Sequence, residues 1–148
     1  MSDLNCIAQT VEIALTAATA KTVLQIVAPA NQRLKIKRWG VFFDGISSTA
    51  EPVQVRVLRQ TTAGTMSALT PTKQDTHAET IQTTAQHTAT AEPTAGDVLD
   101  MVEVHPQSGY EVILTPETYI KVGGGGRVGI EITAPAIVNV RAKIVFEE

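Results

Sequence analysis

The sequence has few aromatic residues, one cysteine and little charge, and each shortage excludes a class of protein. One Trp, two Tyr and three Phe leave few exposed rings on which sugars or single-stranded bases could stack. Cys6 cannot form a disulfide within the chain, which fits a reducing compartment or a fold that needs no bridge. With 18% charged residues and a net charge of −3, the chain has no bulk attraction for nucleic acid, and we expect none as a partner.

Long apolar segments are also missing. No run of about 18 apolar residues occurs, so we expect no transmembrane helix and no membrane partner. The first residues lack a basic stretch followed by an apolar one, so we expect no signal peptide and a soluble chain made in the cytoplasm. With 148 residues and 43% apolar content, the chain is long and apolar enough to fold as one domain.

Threonine and short alternating segments are what the sequence does contain. Twenty threonines and eighteen alanines are present, and threonine favours strands over helices. Apolar and polar residues alternate over residues 11–15, 53–57, 128–132 and 138–146, which is the period of a strand with one buried face. We therefore predict an all-β fold, an antiparallel β-sandwich or jelly-roll-like barrel of about eight to ten short strands.

One strand of this pattern changes parity along its length. Its apolar residues are even-numbered at Leu34 and Ile36 but odd-numbered at Trp39 and Val41. A shift of one residue would turn every later side chain to the other face, so we predict a β-bulge near residues 38–40.

The threonines are not spread evenly. Twelve of the twenty lie between residues 61 and 94, where no strong apolar run occurs. We expect residues 61–80 to form a Thr-rich excursion from a single β-sandwich domain that spans residues 11–148. Residues 1–10 have little pattern of their own, and we assign them to a flexible N-terminal arm that orders on binding.

No group of residues with catalytic chemistry stands out. Asp75, His77 and Glu79 could face one side of an extended chain, but a single strand closes a metal site poorly, so a solvated polar loop is the better interpretation. The carboxylates between residues 97 and 103 fall on both faces of a strand and cannot flank one bond. We expect no catalytic, metal-binding or cofactor-binding residue, no cofactor and no enzyme activity.

Two segments have alternative interpretations as contact sites. Four glycines at residues 123–126, followed by Arg127, favour a hairpin loop, with a partner-contact loop as the alternative. Arg33, Lys35 and Lys37 form a basic row on one strand face. A solvated face is the first interpretation of this row, contact with an acidic protein surface the second, and nucleic acid the third.

Several segments together carry a family resemblance. They are residues 39–45, 59–66, 68–71, 86–96 and 105–110, with the glycine-rich stretch before Arg127. In these segments the chain resembles the small head proteins of tailed bacteriophages, the auxiliary, decoration or cement proteins that bind the outside of the capsid. The likeness spans about residues 10–148.

The resemblance implies a β-sandwich subunit, often a homotrimer, that bridges neighbouring major capsid proteins on the surface of the virion. Such a ligand stabilises the mature shell by mass action, and many weak sites on one particle add by avidity. The contact elements that it implies are the N-terminal arm, the Thr-rich excursion and the loops at residues 44–51 and 123–127. The residues expected to contact the partner are Asp3, Leu4, Asn5, Arg33, Lys35, Lys37, Met66, Leu69, Gly124, Gly125 and Arg127.

Two other functions remain open from the sequence. One is a different phage structural role, such as a tail tube, a head–tail joining protein or a fibre-attached module. The other is a glycan-binding β-sandwich module, against which the scarcity of aromatic residues argues.

Overall fold

A computed structural model describes residues 4–76 and 78–148, and in these residues there are thirteen strands and no helix. The strands form two antiparallel sheets packed face to face, which confirms the predicted β-sandwich. Neither sheet closes on itself, so no barrel forms. The strands are β1 (Asn5–Gln9), β2 (Ile13–Ala14), β3 (Ala20–Val27), β4 (Leu34–Phe43), β5 (Val53–Gln60), β6 (Thr65–Leu69), β7 (Thr72–Lys73), β8 (Thr84–Ala91), β9 (Ala95–Val104), β10 (Gly109–Ile113), β11 (Ile120–Val122), β12 (Arg127–Thr133) and β13 (Asn139–Glu147).

The two sheets have different strand orders. The first runs β10-β4-β13-β1-β7, with β11 also pairing β4 and β2 also pairing β13. The second runs β6-β8-β3-β12-β5-β9. The edge strand β9 is ten residues long and carries Asp97, Asp100 and Glu103, and charges on an edge strand discourage pairing with another chain.

The core lies between the sheets and follows the alternation in the sequence. On β13, Val140, Ile144 and Phe146 are buried, and on β12 Ile130 and Ile132 face them from the second sheet. Each such side chain contributes about 1.5–3 kcal/mol by leaving water. The other face of these two strands carries the polar residues Arg127, Glu131, Arg141 and Lys143, together with the buried Gly129 and Val145.

The predicted β-bulge is present in β4. Val145 lies opposite Arg38 and Phe146 lies opposite Ile36, so Lys37 is the extra residue. Lys37 lies one residue before residues 38–40, where the parity change predicted the bulge. The bulge restores the inward direction of the apolar side chains on both halves of the strand.

The N-terminal segment differs from the predicted flexible arm. Residues 5–9 form β1, which lies inside the first sheet between β13 and β7. Cys6 and Ala8 are fully buried on its inner face, and Leu4 is buried beside them. The residues between them are Asn5, Ile7 and Gln9, so the polar side of the pattern is interrupted by an isoleucine and the segment is too short to distinguish from coil in the sequence. Residues 1–3 lie outside the described residues.

The Thr-rich segment connects the edges of the two sheets. After β5, the chain adds β6 to the edge of the second sheet and then β7 to the edge of the first sheet. Met66 and Leu69 are half-buried on β6, and Leu69 packs against the core. The carboxylate of Glu148 accepts hydrogen bonds from the backbone N–H groups of Gln82 and Thr83, both 2.8 Å, at the entry to β8.

The glycine-rich segment is not the predicted hairpin loop. β11 pairs with β4 in the first sheet, whereas β12 pairs with β3 and β5 in the second sheet. The glycines at 123–126 therefore carry the chain from one sheet to the other. A Cβ on Gly124 would lie 2.5 Å from the carbonyl oxygen of Ala30, and Gly125 has a φ of +76°, so both positions favour glycine.

Three polar residues of the second sheet form a buried hydrogen-bonded layer. The amide of Gln25 donates to Gln60 at 2.6 Å, and the amide of Gln60 donates to the hydroxyl of Thr22 at 2.9 Å. All three residues are buried. Glu92, in the β8–β9 connection, accepts from the backbone N–H of Thr22 at 2.6 Å and from its hydroxyl at 3.0 Å. This carboxylate ties the connection to the sheet.

Replacing Glu92 with glutamine should make the protein less sensitive to pH. Burial, aided by the charge of Glu131, raises the pKa of Glu92 above its ordinary value of 4.5 although Thr22 donates to it. A raised carboxyl pKa gives stability below pH 4.5 that is lost as pH rises through the folded pKa. We therefore expect the stability of E92Q relative to the wild type to increase from pH 4.5 to 7 in urea denaturation, by a small amount because solvent screens the partly exposed Glu92.

The alanine variant is the matched control for this prediction. E92A leaves the buried N–H of Thr22 without its acceptor and should lose about 1–3 kcal/mol at both pH values. A wild type that gains stability over E92Q as pH rises would contradict the assignment.

Candidate functional site

The predicted basic row is largely neutralised within the molecule. Lys35 and Lys37 lie on the outer face of β4, and both form ion pairs with Glu147 of β13, Lys35 at 3.3 Å. Burial alone would raise the pKa of Glu147, but the hydrogen bonds from Lys37 and Lys35 outweigh it and hold that pKa below its ordinary value. Arg33 is exposed at the start of the strand. The row is therefore mainly a structural feature of the first sheet.

The other predicted contact residues do not come together. Leu4 is buried, and Asn5 donates its backbone N–H to Asp75 at 2.9 Å and accepts from Lys37 at 3.0 Å. Asp3 lies outside the described residues. The set also includes two residues on β6 and three in or next to the glycine segment, so its members belong to separate elements of the fold. These residues do not form one site.

The structure contains a groove at one end of the sandwich that the sequence patterns did not predict. We call it the end-loop groove, and its volume is about 560 Å³. Its walls include Ile46, which is 92% exposed, and Ile137, which is 80% exposed. The lining residues are Asp44, Gly45, Ile46, Ser47, Ala50, Glu51, Val53, Pro106, Pro135, Ala136, Ile137 and Val138. The signal in the sequence was an isoleucine inside each of two turn sequences. The sequence could not show that three separate segments come together to form one groove.

The loop that carries Ile46 is held in place by hydrogen bonds. Gly45 donates its N–H to the carbonyl of Pro106 at 2.7 Å, and a Cβ on Gly45 would lie 2.5 Å from that oxygen. The amide of Gln107 donates to the carbonyl of Ile46 at 2.9 Å. Asp44 accepts from the backbone N–H of Asn139 at 3.0 Å. The anchored backbone thus keeps the large aliphatic side chain of Ile46 in solvent, on the same groove as the exposed Ile137.

The rim of the end-loop groove is acidic. Asp44 and Glu51 both line it, and no cationic side chain does. The side chain and backbone of Asn139 hold the pKa of Asp44 below its ordinary value, so this carboxylate stays charged at neutral pH. An apolar hollow with a negative rim fits an aliphatic side chain that is followed by lysine or arginine.

Replacing Asn139 with alanine should raise the pKa of Asp44 towards its ordinary value of 3.8, because the amide of Asn139 donates to Asp44 at 2.9 Å. Carboxyl carbon NMR during a pH titration measures this value. The control is Ser47→Ala, which removes a hydroxyl bonded to Thr49 and should leave the pKa of Asp44 unchanged. An unchanged pKa in N139A would show that the backbone N–H alone controls the carboxylate.

A second hollow lies on the outer face of the first sheet, and we call it the basic hollow. Its volume is about 570 Å³, and Arg141 and Lys143 are its cationic residues. Its lining residues are Ile7, Gln9, Thr10, Val11, Phe42, Thr70, Thr72, Arg141, Ala142 and Lys143. A smaller hollow of about 140 Å³ contains Phe42, Arg141, Asp44 and Asn139.

The described residues offer no centre for covalent or metal chemistry that the structure brings together. Burial, aided by Glu148 and Asp75, raises the pKa of the Cys6 thiol to about 11, so it is protonated at neutral pH and a poor nucleophile. Residues 4–76 and 78–148 hold no group of three His, Cys, Asp or Glu placed to bind a metal ion. His77 of the Asp75–Glu79 segment lies outside them. Within the same residues no helix has the length and apolar character needed to cross a membrane.

The two hollows are surface depressions lined by strands and loops of the β-sandwich. Comparisons with known proteins add no relative: no family model matches the chain, and neither a curated protein nor a solved structure shows significant similarity to it.

Proposed function

We propose that this chain is a capsid decoration protein of a tailed bacteriophage, which binds the major capsid protein through the end-loop groove. The observation that carries the proposal is the pair of exposed isoleucines, Ile46 and Ile137, on opposite segments of one groove. The sequence segments that resemble phage head proteins support it. One of them, residues 39–45, leads directly into the loop that carries Ile46.

The proposed mechanism is thermodynamic. A protein that binds only the mature shell lowers the free energy of that shell by mass action. Burial of the two isoleucines against a partner would contribute about 3–6 kcal/mol at each site, before the cost of association. Many copies on one particle then multiply a modest affinity, because release of one contact leaves the others in place.

The groove defines the chemistry of the partner segment. Its apolar walls suit an aliphatic side chain, and its acidic rim of Asp44 and Glu51 suits a neighbouring lysine or arginine. The partner is thus proposed to present an apolar residue beside a cation on the outer surface of the shell. A homotrimer would present three such grooves to one local symmetry axis.

The location of the chain in an assembled particle tests the proposal. A cryo-EM map should show this β-sandwich on the outer capsid surface at three-fold or quasi-three-fold positions, with the end loops facing the shell. Density found only in the tail would assign the chain to a different structural role. Light scattering that shows a stable monomer at high concentration would contradict the trimer in the free protein.

A further inference from the structure

The end-loop groove and the basic hollow share no lining residue with each other, but the smaller hollow shares lining residues with both. Phe42 and Arg141 line both the basic hollow and the smaller hollow. Asp44 lines both the smaller hollow and the end-loop groove. The shared residues place the three hollows next to one another, from the outer face of the first sheet to the end loops. We call this row of three hollows the trough.

The cation at the first end of the trough is available to a ligand. Arg141 is exposed, and its side chain forms no ion pair with another described residue. Its neighbours on the sheet differ from it, because Arg38 and Lys143 both pair with Glu111, at 3.2 and 3.1 Å. Unlike Arg38 and Lys143, Arg141 has no described carboxylate within ion-pair distance of its guanidinium.

The carboxylates close to Arg141 are held by another side chain. Glu12 and Asp44 both line the smaller hollow with Arg141. The amide of Asn139 donates to Glu12 at 3.1 Å and to Asp44 at 2.9 Å, and neither carboxylate lies within 4 Å of the guanidinium. Asn139 therefore holds both carboxylates by hydrogen bonds, and neither forms a close ion pair with Arg141.

The surface beside Arg141 suits a carboxylate on an extended chain. Phe42, directly opposite Arg141 across the β4–β13 ladder, is 39% exposed, and the ammonium of Lys143 lies 5.3 Å from its ring centroid. The side chains of Gln9 and Thr72 add hydrogen-bonding groups on the other side of the basic hollow. A guanidinium presents two parallel donors that match the two oxygens of a carboxylate.

We propose that the trough binds one extended segment of a partner protein, with an aspartate or glutamate on Arg141 and an aliphatic residue between Ile46 and Ile137. The opposite charges of the two ends fix the direction of the segment, because its acidic residue lies at the basic end and its cation at the acidic rim. This inference rests on the proposed function for the end-loop groove and adds the acidic residue, the direction and the extended form of the partner segment.

A random dodecapeptide library, selected on the immobilised full-length protein, tests the inference without a phage particle. The selected peptides should contain an acidic residue separated by several positions from an aliphatic residue next to lysine or arginine. Fluorescence anisotropy with one such peptide should show at least a tenfold loss of affinity in R141E. A peptide whose acidic residue is changed to lysine should recover affinity for R141E and lose it for the wild type.

Lys121→Glu is the matched control, because Lys121 is an exposed cation on β11, outside the trough. K121E should bind the selected peptide as the wild type does, and circular dichroism should show both variants folded. Equal binding by R141E and the wild type, selected peptides without acidic residues, or no selected peptide at all would each overturn the inference. The cryo-EM map of the particle tests the proposed function separately, because it shows where the chain is located and does not depend on peptide binding.

Discussion

Replacing Ile46 and Ile137 together with aspartate is expected to weaken binding to the capsid surface by at least about 100-fold. The two side chains are 92% and 80% exposed, so the folded domain loses little when they change. In the complex, each would bury an aliphatic side chain worth about 1.5–3 kcal/mol, and an aspartate in its place would have to give up water. Co-sedimentation of the purified protein with shells that lack it measures the affinity.

Ile113→Asp is the matched control for this pair. Ile113 is 74% exposed on β10 and lines neither the end-loop groove nor the basic hollow. Loss of a large exposed aliphatic residue there should leave binding within about twofold of the wild type. Full binding by I46D/I137D would exclude the end loops as the contact, and equal loss in I113D would point to a different face of the first sheet.

Gly129→Ala should lower the free energy of unfolding by about 2–4 kcal/mol, because the added methyl group would overlap a buried side chain. A Cβ at this position would lie 2.3 Å from Oε1 of Gln60. The side chain of Gln60 cannot move aside cheaply, because it is buried and accepts from Gln25 while donating to Thr22. Moving it would leave buried polar groups without partners. Urea denaturation measures the loss.

Gly123→Ala is the control within the same chain. A Cβ at residue 123 would meet no atom within 4 Å, and that glycine has no positive φ, so stability should change by less than about 0.5 kcal/mol. The double variant G129A/Q60A removes the clashing side chain, and its loss should be smaller than the sum of the two single losses. Additive losses would show that Gln60 is not what excludes a methyl group at position 129.

The strands with strict alternation could be predicted from the sequence, because a strand with one buried face has an apolar residue at every second position. Residues 138–146, where the sequence alternates, correspond to β13 (Asn139–Glu147). The parity change in β4 correctly indicated a bulge. The N-terminal strand could not be predicted with the same certainty. Its inward residues are as small as Cys6 and Ala8, and only its neighbours β13 and β7 make their burial possible.

The candidate site shows the same division. The sequence identified charged residues by type, but ion pairs in the folded chain decide which charges are free to bind a ligand. Lys35 and Lys37 form ion pairs with Glu147, whereas the side chain of Arg141 forms no ion pair with a described residue. The sequence named the loop at residues 44–51 but could not join it to Pro106 and Ile137. Those two segments lie about sixty and ninety positions away along the chain, and contacts at that separation leave no local pattern.

By itself, the sequence determined the all-β class, the absence of long apolar segments and the direction of most core side chains, because these depend on residue type and on a period of two. Only the tertiary structure decided which strands pair, that the glycine segment crosses between sheets, and that two exposed isoleucines face one groove with an acidic rim. These features require segments far apart in the sequence to come together. The entropy cost of closing the loops between them is offset by the packing of the whole core, not by any one segment.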